Sequence, residues 1–290
     1  MSRDWSLGAR LLVALGFVTA GYLLLVAPLF VFLPLRIAAI ATLVLAFVPL
    51  LLILFGHRLA LDAVDATYVD PDDYPTLFSS LHRLSQQAGV STPRLAVVAS
   101  DDPNAFTAGS GDSAVVCVTT GLLRTLDDEE LDAVFAHELA HLQNADATVM
   151  TLVAFPVTVA ATLFLSAEWA FDPRRSELRG FVVGLVGLLV SLLLLLVSYP
   201  PVLVIANARE YAADRGAVTI TGKPAALASA LRTLDEVDEK PERDMRSLGP
   251  VSAFCIVSPS WGLLQFPGLH PPTEQRIERL RTLEREAETD

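Results

Sequence analysis

Four stretches of this chain, residues 11–35, 37–56, 147–167 and 180–208, contain no Asp, Glu, Lys, Arg or His. A helix rises 1.5 Å per residue, so about 20 apolar residues cross the hydrocarbon core of a bilayer. Each stretch is that long, and inside lipid only a helix satisfies its own backbone polar groups. A hydrophobic fraction of 52% and a mean hydropathy of +0.49 also lie outside the range of ordinary soluble domains. The first two runs are separated by little more than Pro34 and Arg36, which predicts a tight helical hairpin. The first run is too long for a cleaved signal peptide and has no small-residue cleavage site before a polar chain. The third carries Pro156 and ends at Glu168 and Trp169, so a re-entrant or buried helix is the alternative to a span there.

The runs divide the chain into four parts: an N-terminal transmembrane hairpin (1–56), a polar segment (57–146), a second hairpin (147–208) and a second polar segment (209–290). Two hairpins put both polar segments on one side of the membrane. Segment 57–146 has 15 acids against four basic residues, and segment 209–290 has 14 against 11, so the first carries most of the net charge of −12. Lysine occurs only at 223 and 240. This acid excess suggests a high-salt organism, where strong surface charge keeps protein soluble. It also argues against nucleic-acid partners, because no basic stripe exists. Arg3, Arg10, Arg58, Arg209 and Arg215 flank one side of the four-span arrangement, against Arg36, Arg174, Arg175 and Arg179 on the other. The positive-inside rule then favours a cytoplasmic face for the polar segments, by five to four. Cys117 and Cys255 form no metal-binding or redox spacing and read as buried free thiols.

Chemistry enters at His137-Glu138-Leu139-Ala140-His141. Residues four apart share a helix face, so both imidazoles can reach one metal ion, and Glu138 is offset by about 100°. Two neutral imidazoles suit Zn²⁺, and an adjacent carboxylate can serve as general base. Asp127 and Glu130 resemble a capping box, Leu131, Val134, Phe135, Leu139 and Leu142 recur at helical spacing, and Asn144 is a stop. The alternative is a pair of core histidines satisfied by carbonyl groups. Catalytic zinc needs a third protein ligand. Glu210 and Asp214, four apart just after the fourth apolar run, share a face. One could bind the metal while the other accepts a ligand histidine's N–H. Taken alone, the stretch reads rather as a solvated helix end with an Arg-Glu pair.

Several motifs in order carry a resemblance across nearly the whole chain. They are the paired N-terminal runs, Pro103-Asn104-Ala105-Phe106, Val118-Thr119-Thr120-Gly121-Leu122-Leu123, the H-E-x-x-H helix and Asn144-Ala145-Asp146. Arg209-Glu210-Tyr211-Ala212-Ala213-Asp214 and His270-Pro271-Pro272-Thr273-Glu274-Gln275-Arg276-Ile277 complete the set. Together they resemble the HtpX group of membrane zinc metalloproteases, relatives of the CAAX prenyl proteases. The resemblance implies a mainly α-helical, multi-pass membrane protein with a zincin-like (gluzincin) catalytic domain. It implies one Zn²⁺ per chain held by His137, His141 and Glu210, Glu138 as catalytic base, and Asp214 as partner of a ligand. Thr107, where the pattern has Ala, and Ala208, where it often has a basic residue, depart from it.

Residues 104–107, the Gly109–Gly111 turn region and residues 114–120 read as a β-hairpin. The resemblance sets this hairpin beside the zinc, with Asn104, Ala105 and Phe106 receiving an extended polypeptide as an added strand. His270 either donates to the developing oxyanion or gates the metal, or it caps the helix of residues 274–286. Tyr211 is a weaker candidate donor. The reading is a membrane endopeptidase acting on misfolded or unassembled membrane proteins in protein quality control and stress response. The rivals are a metal-free membrane scaffold and a CAAX-type processing protease.

Overall fold

The computed structural model describes residues 5–170, 178–237 and 270–289. Arg3, Arg174, Arg175, Lys240 and Cys255 lie outside them. The chain forms two compact units, Met1–Leu50 with Met150–Ile205, and Leu51–Val149 with Ala206–Asp290.

The first unit is built from helices α1 (Trp5–Phe32), α2 (Leu35–Ala63), α6 (Asp146–Ala170) and α7 (Leu178–Thr221), the last three of which continue beyond it. All four are long and apolar enough to cross a membrane. The first hairpin turns at Leu33 and Pro34, as the sequence predicts. The third run is a continuous helix despite Pro156. Proline has no N–H, so the carbonyl of Leu152, four residues earlier, loses its helical donor. The Tyr22 hydroxyl of α1 donates to that carbonyl at 2.8 Å, and its ring stacks on Phe155 with centroids 6.3 Å apart. An unpartnered buried carbonyl would cost about 1–3 kcal/mol. The tyrosine therefore lets a proline-bearing run remain helical. α1 also approaches α7 at Gly21, where a Cβ would lie 2.5 Å from Ser198 Oγ. Small residues at a crossing permit that kind of packing between apolar helices.

The second unit holds a four-stranded sheet of β1 (Thr67–Tyr68), β2 (Arg94–Val98), β3 (Ala105–Ala108) and β4 (Val115–Thr119), in the order β1-β2-β4-β3. β3 and β4 form the expected antiparallel hairpin, with Phe106 opposite Cys117. The parallel β2–β4 pair was not legible as a pattern, because both sheet faces are covered. Leu95, Val97, Val116 and Val118 face one core, with α3 (Pro75–Ala88), α4 (Thr120–Thr125), α5 (Asp128–Gln143), α8 (Pro224–Asp235) and α9 (Thr273–Thr289). Ala96, Val98, Phe106 and Cys117 face a second core closed by Ala60 and Leu61 of α2. With no polar face, strict alternation disappears.

α7 runs past its apolar stretch and lays Ala213, Gly216 and Ala217 against α5. A Cβ on Gly216 would stand 2.6 Å from the Ala140 Cβ. Only glycine permits that approach, and it brings Glu210 and Asp214 to the histidine-bearing helix.

Two stability predictions follow from these contacts. Tyr22→Phe should cost about 1–2 kcal/mol by orphaning the Leu152 carbonyl, read as a lower thermal midpoint in detergent; an unchanged midpoint would show the bond to be dispensable. Gly216→Ala should cost about 1–3 kcal/mol through overpacking. Ala140→Gly should restore much of that loss in the double variant, whereas additive losses would place the strain elsewhere.

Candidate metal centre

α5 starts where the sequence predicts. The Asp127 side chain accepts from Glu130 N–H at 2.8 Å and Glu130 reaches back to Asp127 N–H. From Leu131 to His141 nearly every side chain is buried, because the sheet, α3 and α8 surround the helix. Burial fixes the rotation of the helix and hence the direction of His137 and His141. Their Nε2 atoms meet 3.1 Å apart, with the rings edge-on at 85°. Glu210 of α7 joins them: Oε2 is 3.6 Å from His137 Nε2, and Oε1 is 3.6 Å from His141 Nε2.

A carboxylate stands behind each ring. Asp214 Oδ1 lies 3.1 Å from His137 Nδ1, and Asp146 Oδ2 lies 2.6 Å from His141 Nδ1. That arrangement favours the Nδ1–H tautomer and turns both Nε2 lone pairs inward. Asp146 reaches His141 because Ala145, between α5 and α6, adopts a left-handed conformation with φ of 54°. A left-handed alanine costs about 1 kcal/mol. Asp214 is held in turn by Arg276 of α9, whose Nε and Nη2 donate to its two oxygens at 2.9 and 2.6 Å. Arg209 Nη2 donates to Glu210 Oε1 at 2.8 Å. Arg276 Nη1 and His270 Nδ1 each lie 3.4 Å from Glu210 Oε2.

The donor set fits a divalent cation. One ligand atom from each of His137, His141 and Glu210 lies within 4.8 Å of the others. Glu210 Oε2 is buried without a hydrogen bond among the described residues, although it carries charge. Electrostatics agree. Burial disfavours a charged imidazole at His137, but Asp214 and Glu210 outweigh it and push the ring up to about 9. The spot therefore calls for positive charge. His141 is held well below its ordinary value by burial and by the neighbouring His137, so it presents a lone pair. Two histidine nitrogens and one carboxylate oxygen are a set that zinc favours.

Glu138 lies close enough to His137 and Glu210 to feel their charge. Its Oε2 accepts a 2.7 Å hydrogen bond from Thr107 Oγ1, while Oε1 has no hydrogen-bond partner among the described residues. Burial raises its carboxyl to about 7 on the protein's own charges, against the lowering effects of His137 and Thr107. A general base works best with a pKa near the working pH.

His137, Glu138, His141, Glu210, Asp214 and His270 thus come together from both polar segments. Asn104, Ala105 and Phe106 do so differently. All three are buried as whole residues, so what distinguishes them is the direction of their main-chain groups along the ladder. Thr119 N–H donates to Asn104 O at 3.0 Å, which sets the parity of the β3–β4 ladder. Phe106 then bonds toward β4, while Ala105 and Thr107 turn their main-chain groups to the outer edge. Tyr211 stays apart: its hydroxyl donates to Gln275 at 3.2 Å, and the Arg279 guanidinium covers its ring at 3.7 Å. Asp146, Arg209, Arg276 and Thr107 carry contacts that sequence reasoning did not assign. Asp146 had a signal, an acid five residues beyond His141 and past the helix stop. Arg276, 62 positions from Asp214, was marked only as one residue of the His270–Ile277 motif.

Comparison with known proteins accords with this geometry. Residues 71–284 match the model of peptidase family M48. A protease HtpX homolog of Moorella thermoacetica is 36% identical over 99% of this chain and 98% of its own length. One from Thermococcus kodakarensis is 37% identical over 80% of this chain and 81% of its own. Among solved structures, S. mikatae Ste24p superposes with a TM-score of 0.54 at 18% identity. It covers 95% of this chain and 66% of that one, a likeness of fold. The chain belongs to peptidase family M48, as a multi-pass membrane metalloprotease of the HtpX type.

Proposed function

We propose that the protein is a zinc endopeptidase that hydrolyses unfolded or unassembled polypeptides at the cytoplasmic face of the cell membrane. The observation that carries the reading is the convergence of His137, His141 and Glu210 beside the buried carboxylate of Glu138. Those three residues would hold the ion, with Asp214 and Asp146 orienting the histidines and Arg209 and Arg276 holding the acids. Zinc bound there would lower the pKa of a water and polarise the scissile carbonyl. Glu138 takes a proton from the attacking water as its oxygen bonds to the carbonyl carbon. It later gives that proton to the leaving amine nitrogen as the C–N bond breaks. His270 would donate to the carbonyl oxygen as charge gathers. Its 3.4 Å approach to Glu210 favours this over a capping role.

The substrate reading rests on β3. It is a terminal strand of the sheet, and the main chain of Ala105 and Thr107 faces outward. An extended segment could add there through backbone hydrogen bonds and be recognised with little regard to side chains. Unfolded polypeptides offer such segments. Glu210 follows the fourth apolar run by two residues and His141 precedes the third by six, which supports substrates held near the bilayer.

Purified protein in high salt should cleave a chemically unfolded soluble protein, lose activity to a chelator and regain it with zinc. Glu138→Gln should retain bound zinc while hydrolysis falls at least about 100-fold; Glu210→Ala should lose both zinc and hydrolysis. Full activity in Glu138→Gln would refute the mechanism. Inverted membrane vesicles should cleave added substrate and right-side-out vesicles should not; the opposite pattern would reverse the orientation.

A further inference from the structure

Thr107 stands at a junction. Its hydroxyl is buried and donates to Glu138 Oε2 at 2.7 Å, with a longer approach of 3.3 Å to the Glu138 carbonyl oxygen. Its main-chain N–H and C=O turn away from β4 to the outer edge of β3, because Thr107 pairs with Val116 in the non-bonded positions of the ladder. One residue therefore touches the general base with its side chain and offers its backbone where a substrate strand would add. Glu138 is 31 positions away in sequence and on a different element, so this bond links β3 directly to α5.

We propose that Thr107 is a positioning residue that fixes the catalytic carboxylate relative to the substrate strand. The inference rests on the endopeptidase reading above. A carboxylate has two equivalent oxygens and a soft terminal torsion, so an unrestrained Glu138 would sample many orientations. Holding Oε2 removes that freedom and leaves Oε1, which has no hydrogen bond among the described residues, to meet the water. The same bond ties the carboxylate to the strand whose backbone registers the scissile peptide. Misplacement of a reacting group by about 1 Å can cost on the order of 100-fold in rate. A threonine here serves catalysis through geometry, and a methyl group in place of the hydroxyl would preserve packing while releasing the base.

Thr107→Val is the near-isosteric test, with Thr107→Ala as a second variant should valine disturb the strand. Each is assayed beside wild type, Thr107→Ser and Glu138→Gln on a short unstructured peptide, with zinc content and thermal midpoint measured on the same samples. The expected result is a kcat lower by roughly 10- to 100-fold, with KM within about threefold of wild type, equal zinc and an unchanged midpoint. Thr107→Ser should recover most of kcat. Affinity for the peptide, measured in the Glu138→Gln background, should not change on adding Thr107→Val. Wild-type kcat in Thr107→Val, or a serine variant as slow as valine, would overturn the positioning role. Lost zinc or a lowered midpoint accounting for the whole effect would make Thr107 merely structural. An inactive, zinc-loaded wild type would instead refute the endopeptidase reading and this inference with it.

Discussion

A carboxylate that is 1% exposed must be compensated where it lies, and Glu210 is that carboxylate. Water cannot solvate it, so its charge is answered by Arg209, by Arg276 and by His137, with His270 alongside. Removing one partner of such a buried cluster typically costs 3–5 kcal/mol. Three helices of the second unit contribute to this cluster. α5 brings two rings, α7 brings the carboxylate and Arg209, and α9 brings Arg276. The metal is the remaining cation that the cluster calls for, as the upward displacement of His137 already indicates.

This dependence explains how an apolar chain can carry a polar site. The charge-free runs are consumed by four long helices, and the irregularity at Pro156 is repaired within the same unit by Tyr22. The charged residues are left to the two polar segments, which combine into one body. α7 serves both roles in sequence, as an apolar span and then as the helix of Glu210 and Asp214. Gly216 makes the second role possible, because a side chain there would keep α7 off α5.

The parts of this arrangement with short-range rules were legible in sequence. Asp127 and Glu130 mark the start of α5, and Asn144 caps its end. The four-residue spacing of His137 with His141, and of Glu210 with Asp214, placed each pair on one helix face. The β3–β4 hairpin followed from the glycines at its turn. What escaped was non-local. β2 pairs in parallel with β4, and a strand buried on both faces shows no alternation. Arg276 looks like one of many arginines in a charged amphipathic helix, and only the fold shows it buried against Asp214. Thr107 was visible as a departure from the HtpX pattern, and its meaning depends on α5 lying beneath β3.

X-ray absorption at the zinc edge of the purified, active protein addresses the central claim most directly. One zinc per chain, with only nitrogen and oxygen neighbours at about 2.0–2.2 Å and outer-shell scattering from two imidazoles, is the predicted result. The spectrum should be lost in Glu210→Ala. Sulfur at about 2.3 Å, a single imidazole, or an unchanged spectrum in Glu210→Ala would contradict a centre built from His137, His141 and Glu210.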